Sequence, residues 1–296
     1  MPRSSRSARP TGTTRSTSLR RLPLAAALAA ATALVAGVAA PAYAAGPAPV
    51  APVVEGRTAF HPDRDFAGST VAAHEGRSGA APLVRLAVTQ TAGLDVASYQ
   101  GNVNWPSVAA GGARFAYVKA TEGTSYTNPY FAQQYNGSYN SGLIRGAYHF
   151  ALPNNSSGSA QANYFVDHGG GWSADGRTLP PALDIEYNPY GATCYGLSQS
   201  AMVSWIRSFN DTVHSRTGRY PTIYTTTNWW ATCTGNYGGF GATNPLWIAR
   251  YASTVGTLPN GWSYQTFWQY SDSGTFPGDQ DLFNGATDRL SALALG

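Results

Sequence analysis

Ala182-Leu183-Asp184-Ile185-Glu186 stops at Tyr187-Asn188-Pro189, and its alternation decides the reading of the fold. Side chains on a strand point to opposite faces in turn. Asp184 and Glu186 therefore share one face, and Leu183 and Ile185 share the other. The apolar pair is suited to lie under helices. The acidic pair sits where the strand ends, since Asn188-Pro189 breaks it. A strand with an apolar outer face and acids at its C-terminal end fits a parallel barrel, whose active sites gather at that end.

Similar short runs recur outward from this segment. Strands are expected at Gly93–Ser98, Phe115–Ala120, Ile144–Phe150, Ala182–Glu186, Thr222–Thr225, Leu246–Arg250, Thr266–Tyr270 and Asp279–Phe283. Helical patterns fall between the early ones, at Pro129–Ser141, Gly158–His168 and Leu197–Thr217. Ser198 suits the N-cap of the last helix and Gly218 its C′ position. Alternating strand and helix predicts a parallel sheet covered by helices. Eight strands predict closure into a barrel, made irregular because the last three lack full helices.

The N-terminal quarter has another texture. Six arginines lie between Arg3 and Arg21, an Ala-rich apolar run follows from Leu22 to Ala40, and Pro41-Ala42-Tyr43-Ala44 comes next. That order is a secretory signal peptide, with cleavage expected after Ala44. Residues 1–44 are thus a leader, and export makes the protein secreted and extracellular. Residues 45–88 are rich in Ala, Pro and Gly without a sustained period. They are expected to form a pro-segment or flexible linker, dispensable for activity. Residues 89–296 hold the barrel.

The whole chain carries a net charge of +4. Residues 1–44 hold six arginines and no acid, so the remainder has 13 basic and 15 acidic residues, a net of −2. No basic footprint for nucleic acid remains. No membrane partner is expected after leader cleavage, and the chain is read as a monomer. The two cysteines, Cys194 and Cys233, are expected to pair in an oxidising compartment. Neither H-x-x-x-H nor C-x-x-C occurs, so no metal and no cofactor are expected.

Chemistry is sought among scarce charges, since charged residues make up only 11% of the chain. Two carboxylates crowded at one strand end repel each other, which favours a proton on one of them, as a general acid requires. Asp95 lies near the end of the first strand and Asp279 in the last. First and last strands are neighbours in a closed barrel, so both acids can reach one pocket, although a turn or capping role would suit either alone. Tyr99, Tyr148, Tyr187, Tyr224, Tyr251, Trp268 and Tyr270 crowd the same strand ends. Flat apolar faces with polar tips suit sugar rings, and they also suit ordinary packing. Lys119, the only lysine, and Glu122 fit either a simple ion pair or the pocket. His149 reads as a hydrogen-bonded structural histidine.

In this order the segments resemble glycoside hydrolase family 25, the N-acetylmuramidase lysozymes. The resemblance rests on G-L-D-V-A-S-Y-Q-G at Gly93–Gly101, F-A-Y-V-K-A-T-E-G at Phe115–Gly123 and R-G-A-Y-H-F-A at Arg145–Ala151. It continues through L-D-I-E at Leu183–Glu186, F-W-Q-Y at Phe267–Tyr270 and D-x-x-x-F at Asp279–Phe283. It implies an irregular, flattened (β/α)5β3 barrel, TIM-like, of secreted bacterial type. It also implies hydrolysis of the β-1,4 bond between N-acetylmuramic acid and N-acetylglucosamine, with peptidoglycan glycan strands as the partner. Carried over by position, Glu186 is the acid/base, Asp184 its partner, and Asp95 and Asp279 complete the acidic pocket. Asp281 is expected to point away from the lumen or lie beyond the strand end. Tyr99 stands where some members carry Trp. Two alternatives remain: a chitin-type N-acetylhexosaminidase, and a catalytically inactive wall-binding module on the same barrel.

Overall fold

The computed structural model describes residues 60–78 and 89–296, both within one unit, Val53–Gly296. The leader and its cleavage site lie outside the described residues. No helix among the described residues is long and apolar enough to cross a membrane.

Eight strands close the barrel. They are β1 (Thr91–Val96), β2 (Phe115–Glu122), β4 (Ile144–Phe150), β5 (Ala182–Asp184), β6 (Thr222–Thr225), β7 (Leu246–Ala249), β8 (Phe267–Ser271) and β9 (Asp279–Phe283). A two-residue strand, β3 (Tyr126–Thr127), folds back on the end of β2. Pairing between β1 and β2 shuts the ring, and every barrel pairing is parallel except the two made by β9. Helices follow the first five barrel strands: α2 (Trp105–Ala110), α3 (Phe131–Asn140), α4 (Gly158–Asp167), α5 (Gln199–Thr217) and α6 (Thr227–Thr234). None separates β7, β8 and β9, and α7 (Thr287–Leu295) ends the chain. This is the expected (β/α)5β3 arrangement.

Local sequence explains the elements. In α5, Met202, Ile206, Phe209 and Val213 recur at helical spacing and are buried on one face. The Ser198 side chain accepts the Ala201 N–H as N-cap, and Gly218 closes the helix at φ 76°. In β2 all eight residues are buried, because the strand has lumen on one side and helices on the other. Phe115 and Tyr117 turn inward with Trp247, Phe267 and Phe283 to make an aromatic floor, and the Tyr117 and Trp247 rings stack at 4.7 Å. Ala116 and Val118 turn outward under Trp105 and Val108 of α2. Outside β7, β8 and β9, Leu246, Ile248, Trp268 and Leu282 are covered by Val255, Leu258 and Trp262. Those three come from the β7–β8 connection, which does the work of a missing helix.

Residues 60–78 belong to the stretch expected to be pro-segment or linker. They carry a short helix, α1 (Val71–Glu75), and lie across the barrel's mouth, with Ala67, Gly68 and Val71 buried.

Candidate active site

Parallel strands bring their C-terminal ends to one rim, and the acids collect there. Asp95 is the fifth of the six residues of β1, Asp184 ends β5, and Glu186 follows two residues later. Strand pairing at β5 ends at Asp184, two residues short of the expected boundary, though Ile185 N–H still donates to the Tyr224 carbonyl at 3.0 Å. Because β9 is antiparallel, its first residue, Asp279, lies at the mouth, opposite Asp95. The four carboxylates expected to share a pocket are thus brought together, each no more than 2% exposed.

Burial governs their protonation. Desolvation is the first cause of an upward shift in every one, since a charged carboxylate loses water that its neighbours replace only in part. It pushes Glu186 up to about 8, against hydrogen bonds from Gly68 and Thr70 that favour the charged form. It holds Asp184 well above the usual range, and repulsion from Glu186 adds to it. Asp95 is raised to about 7, restrained by hydrogen bonding with Gln269 and Asp281. Neither oxygen of Asp184 has a hydrogen-bond partner, although its side chain is buried. Orphaned buried polar atoms are costly, and such a site has capacity to receive a donor from a ligand.

Asp281 departs from its expected position. It lies two residues after Asp279 on the same strand, so it faces the same lumen. Its Oδ1 accepts Trp247 Nε1–H at 2.8 Å, and the residue is 1% exposed. Its pKa is held well above the ordinary value, first by burial and then by the charge on Asp95. The period of two overrides the reading that turned it outward.

Lys119 and Glu122 form a fully buried ion pair, with Nζ to Oε2 at 2.6 Å, inside the mouth. A register shift between Lys119 and Thr121 lets Lys119 and Glu122 meet while Thr121 turns outward to His149. His149 is held between Thr121 and Gln161 at 2.8 and 2.9 Å, and burial lowers its pKa to about 3. It is a neutral structural residue.

The aromatics divide by face. Tyr224 and Tyr251 both donate to Gln269 Oε1, at 2.7 and 3.0 Å, and Gln269 Nε2–H donates to Asp95 Oδ2 at 2.8 Å. Tyr148 lies in the same lumen cluster, Tyr187 borders Glu186, and Tyr99 stands on the rim, 66% exposed. Trp268 and Tyr270 do not join them. Trp268 packs outward on Leu246, Ile248 and Leu282, its Nε1–H bound to the Arg250 carbonyl, and Tyr270 lies against the same cluster. Their expected sugar contact is corrected by parity: Gln269, between them, owns the inward position. Sequence reasoning missed Gln269, Trp247 and Tyr190. Tyr190, from the loop after β5, donates to Glu122 Oε1 at 2.6 Å. For Gln269 the signal was available, since it is the inward residue of F-W-Q-Y.

Cys194 and Cys233 are bonded, joining the loop after β5 to α6 after β6. Among the described residues no cluster of His, Cys, Asp or Glu could hold a metal. A cavity of about 630 Å³, lined by Arg219, Trp262, Tyr264 and Arg289, opens away from all of these acids.

The sequence model described as glycosyl hydrolases family 25 matches residues 94–279. An N,O-diacetylmuramidase from Chalaropsis sp is 52% identical over 208 residues, covering 69% of this chain and 99% of the relative. Lysozyme M1 from Streptomyces globisporus is 52% identical over 207 residues, covering 68% of this chain and 70% of the relative. The solved muramidase from Acremonium alcalophilum is 59% identical with a TM-score of 0.69, covering 70% of this chain and 99% of that one. With the acids, the barrel and the family pattern in agreement, this chain belongs to glycosyl hydrolase family 25 and is a glycoside hydrolase.

Proposed function

We infer that the enzyme is a muramidase that cuts the β-1,4 bond between N-acetylmuramic acid and N-acetylglucosamine in peptidoglycan. The single observation that carries the residue assignment is the buried Asp184–Glu186 pair at the end of β5, in a family whose named relatives at about half identity are lysozymes and muramidases. Glu186, kept protonated by burial, gives its proton to the leaving glycosidic oxygen. Asp184 lies beside it on the same strand end, so both acids stand on one side of the sugar. That placement favours attack by the substrate's own 2-acetamido oxygen. Asp184, with both oxygens unpartnered, accepts the acetamido N–H and offsets the positive charge that develops. Water then opens the cyclic intermediate, with Glu186 as base, and anomeric configuration is retained. Asp95 and Asp279 set the pocket's charge. Tyr148, Tyr224, Tyr251 and Gln269 border the sugar site.

The basic, Ala-rich stretch ending in Ala42-Tyr43-Ala44 supports export; we read the enzyme as secreted, of bacterial type and monomeric. Mass spectrometry of digested peptidoglycan tests the bond specificity: new reducing ends should fall on N-acetylmuramic acid. Ends on N-acetylglucosamine, or cleavage of chitin at a similar rate, would favour a chitin-type hexosaminidase instead. Product formed initially with inverted anomeric configuration would eliminate acetamido attack.

A further inference from the structure

Both oxygens of the proposed acid are already engaged by this chain's own N-terminal segment. Gly68 N–H donates to Glu186 Oε1 at 2.6 Å, and the Thr70 hydroxyl donates to Oε2 at 3.3 Å. The neighbouring backbone is held as closely. Ala67 N–H donates to Tyr148 Oη at 3.2 Å, Gln269 Nε2–H donates to the Ala67 carbonyl at 2.8 Å, and Tyr251 Oη lies 3.2 Å from the Gly68 carbonyl. The segment thus presents amide N–H and C=O groups to the residues proposed to border the sugar. An N-acetyl group carries the same two functions.

Contacts continue on both sides of this point. Lys119 Nζ donates to the Pro62 and Asp65 carbonyls, and the Asp65 carboxyl group meets the Tyr190 hydroxyl. The His74 ring stacks on Tyr187 at 4.0 Å, whose hydroxyl donates to Glu75 Oε1 at 2.8 Å. Arg77 pairs with Asp272 on the far rim. Gly68 is required at the centre. Its φ is +91°, and a Cβ there would lie 2.2 Å from Tyr251 Oη and 2.5 Å from Gln269 Oε1. Only glycine combines that backbone with that approach.

We propose that residues 60–78 are an intramolecular inhibitor that fills the glycan cleft, and that the enzyme is released when this segment is cut away from the barrel. The cut is hydrolysis of one backbone amide by an external endopeptidase. It turns a tethered contact into a bimolecular one, so dilution frees the cleft. The barrel needs no such segment to fold, since about 70% of this chain spans 99% of the solved Acremonium muramidase. The proposal rests on the mouth being the glycan site, and its test separates the two ideas.

The test places a site-specific protease sequence within residues 79–88 of the secreted chain and follows cell-wall clearing before and after the cut. The uncut chain should be at least tenfold slower than the cut enzyme. Gly68→Val in the uncut chain should recover most of that difference. A synthetic peptide of residues 60–78 should inhibit the cut enzyme, and the Gly68→Val peptide should not. Equal rates before and after cutting would overturn the proposal, as would an uncut Gly68→Val chain as slow as its parent. Calorimetry reports on docking alone. A cut enzyme that binds the peptide but clears no wall refutes the muramidase reading and leaves the docked segment standing. One that clears walls without binding the peptide refutes the inhibitor.

Discussion

Glu186 reaches the cleft from just past the end of β5, and its charge makes the ionisation of Asp184, two residues before it, harder. The acid role requires a group that still holds its proton near neutrality, and burial of Glu186 supplies that condition. Glu186→Gln should therefore lower activity on cell walls by about 10²–10⁴-fold or more, the range general acid catalysis contributes. Asp184→Asn should be similarly severe, because an amide cannot become the anion that the positive charge developing on the acetamido group calls for once substrate is bound. Asp279→Asn and Asp95→Asn should cost less. A Glu186→Gln enzyme more active than Asp279→Asn would move the acid elsewhere in the cluster, provided circular dichroism shows both folded. Asp281 follows a different logic, since it accepts the Trp247 N–H in the lumen. Asp281→Ala should lose about 1–3 kcal/mol by orphaning that donor. Asp281→Asn keeps an acceptor and resembles the protonated acid, so its melting temperature should fall less.

At the scale of elements, the loop after β5 carries Glu186, Tyr187 and Tyr190 to the mouth, and the Cys194–Cys233 bond ties it to α6. The sequence separation is 39 residues, so the double variant Cys194→Ala/Cys233→Ala should lose about 2–4 kcal/mol in thermal unfolding. No loss would mean that packing alone holds this face. What could be read beforehand follows the length and pattern of each element. Ile144–Phe150, Thr222–Thr225 and Asp279–Phe283 have the expected bounds, helped by breakers nearby: Gly142 and Pro153 around the first, Pro221 before the second, Gly278 and Gly285 around the third. The six-residue α2 and eight-residue α6 were not legible. They are short, and tertiary contacts of Trp105, Trp229 and Trp230 hold them rather than any helical period. The acids at 95, 184, 186 and 279 were legible because charge is rare in the strand sequence. Trp268, Tyr270 and Asp281 misled where residue type was weighed above inward-outward parity. The docked segment was not legible at all. Its hold on the cleft is largely backbone hydrogen bonding, which leaves no periodic mark on composition.

Across the whole molecule, the buried acids make stability depend on pH with a definite sign. Unfolded carboxyl groups ionise near pH 4. In the folded protein Asp95 titrates at about 7 and Glu186 at about 8, and Asp184, Asp279 and Asp281 are also raised, chiefly by burial. The folded state therefore binds more protons than the unfolded state between these limits. Stability from these groups is fully present below about pH 4 and is lost as pH rises through their folded values. His149 acts oppositely: its folded value is lowered to about 3, so its contribution is present above its unfolded value and lost as pH falls towards 3. The two trends compete in mildly acidic solution. Above about pH 6.5, where less than half of the unfolded imidazole is charged, the acids outweigh it. The melting temperature of the full chain should fall steadily from about pH 6.5 to 8. Asp184→Asn removes one raised carboxyl, so the fall should become shallower. Thermal scans across that range, at constant ionic strength, measure both slopes. A melting temperature that rose from pH 6.5 to 8 would mean that the acids are charged in the folded state. The mouth of the barrel would then have to be held by ionic pairing rather than by protonated, buried carboxyls.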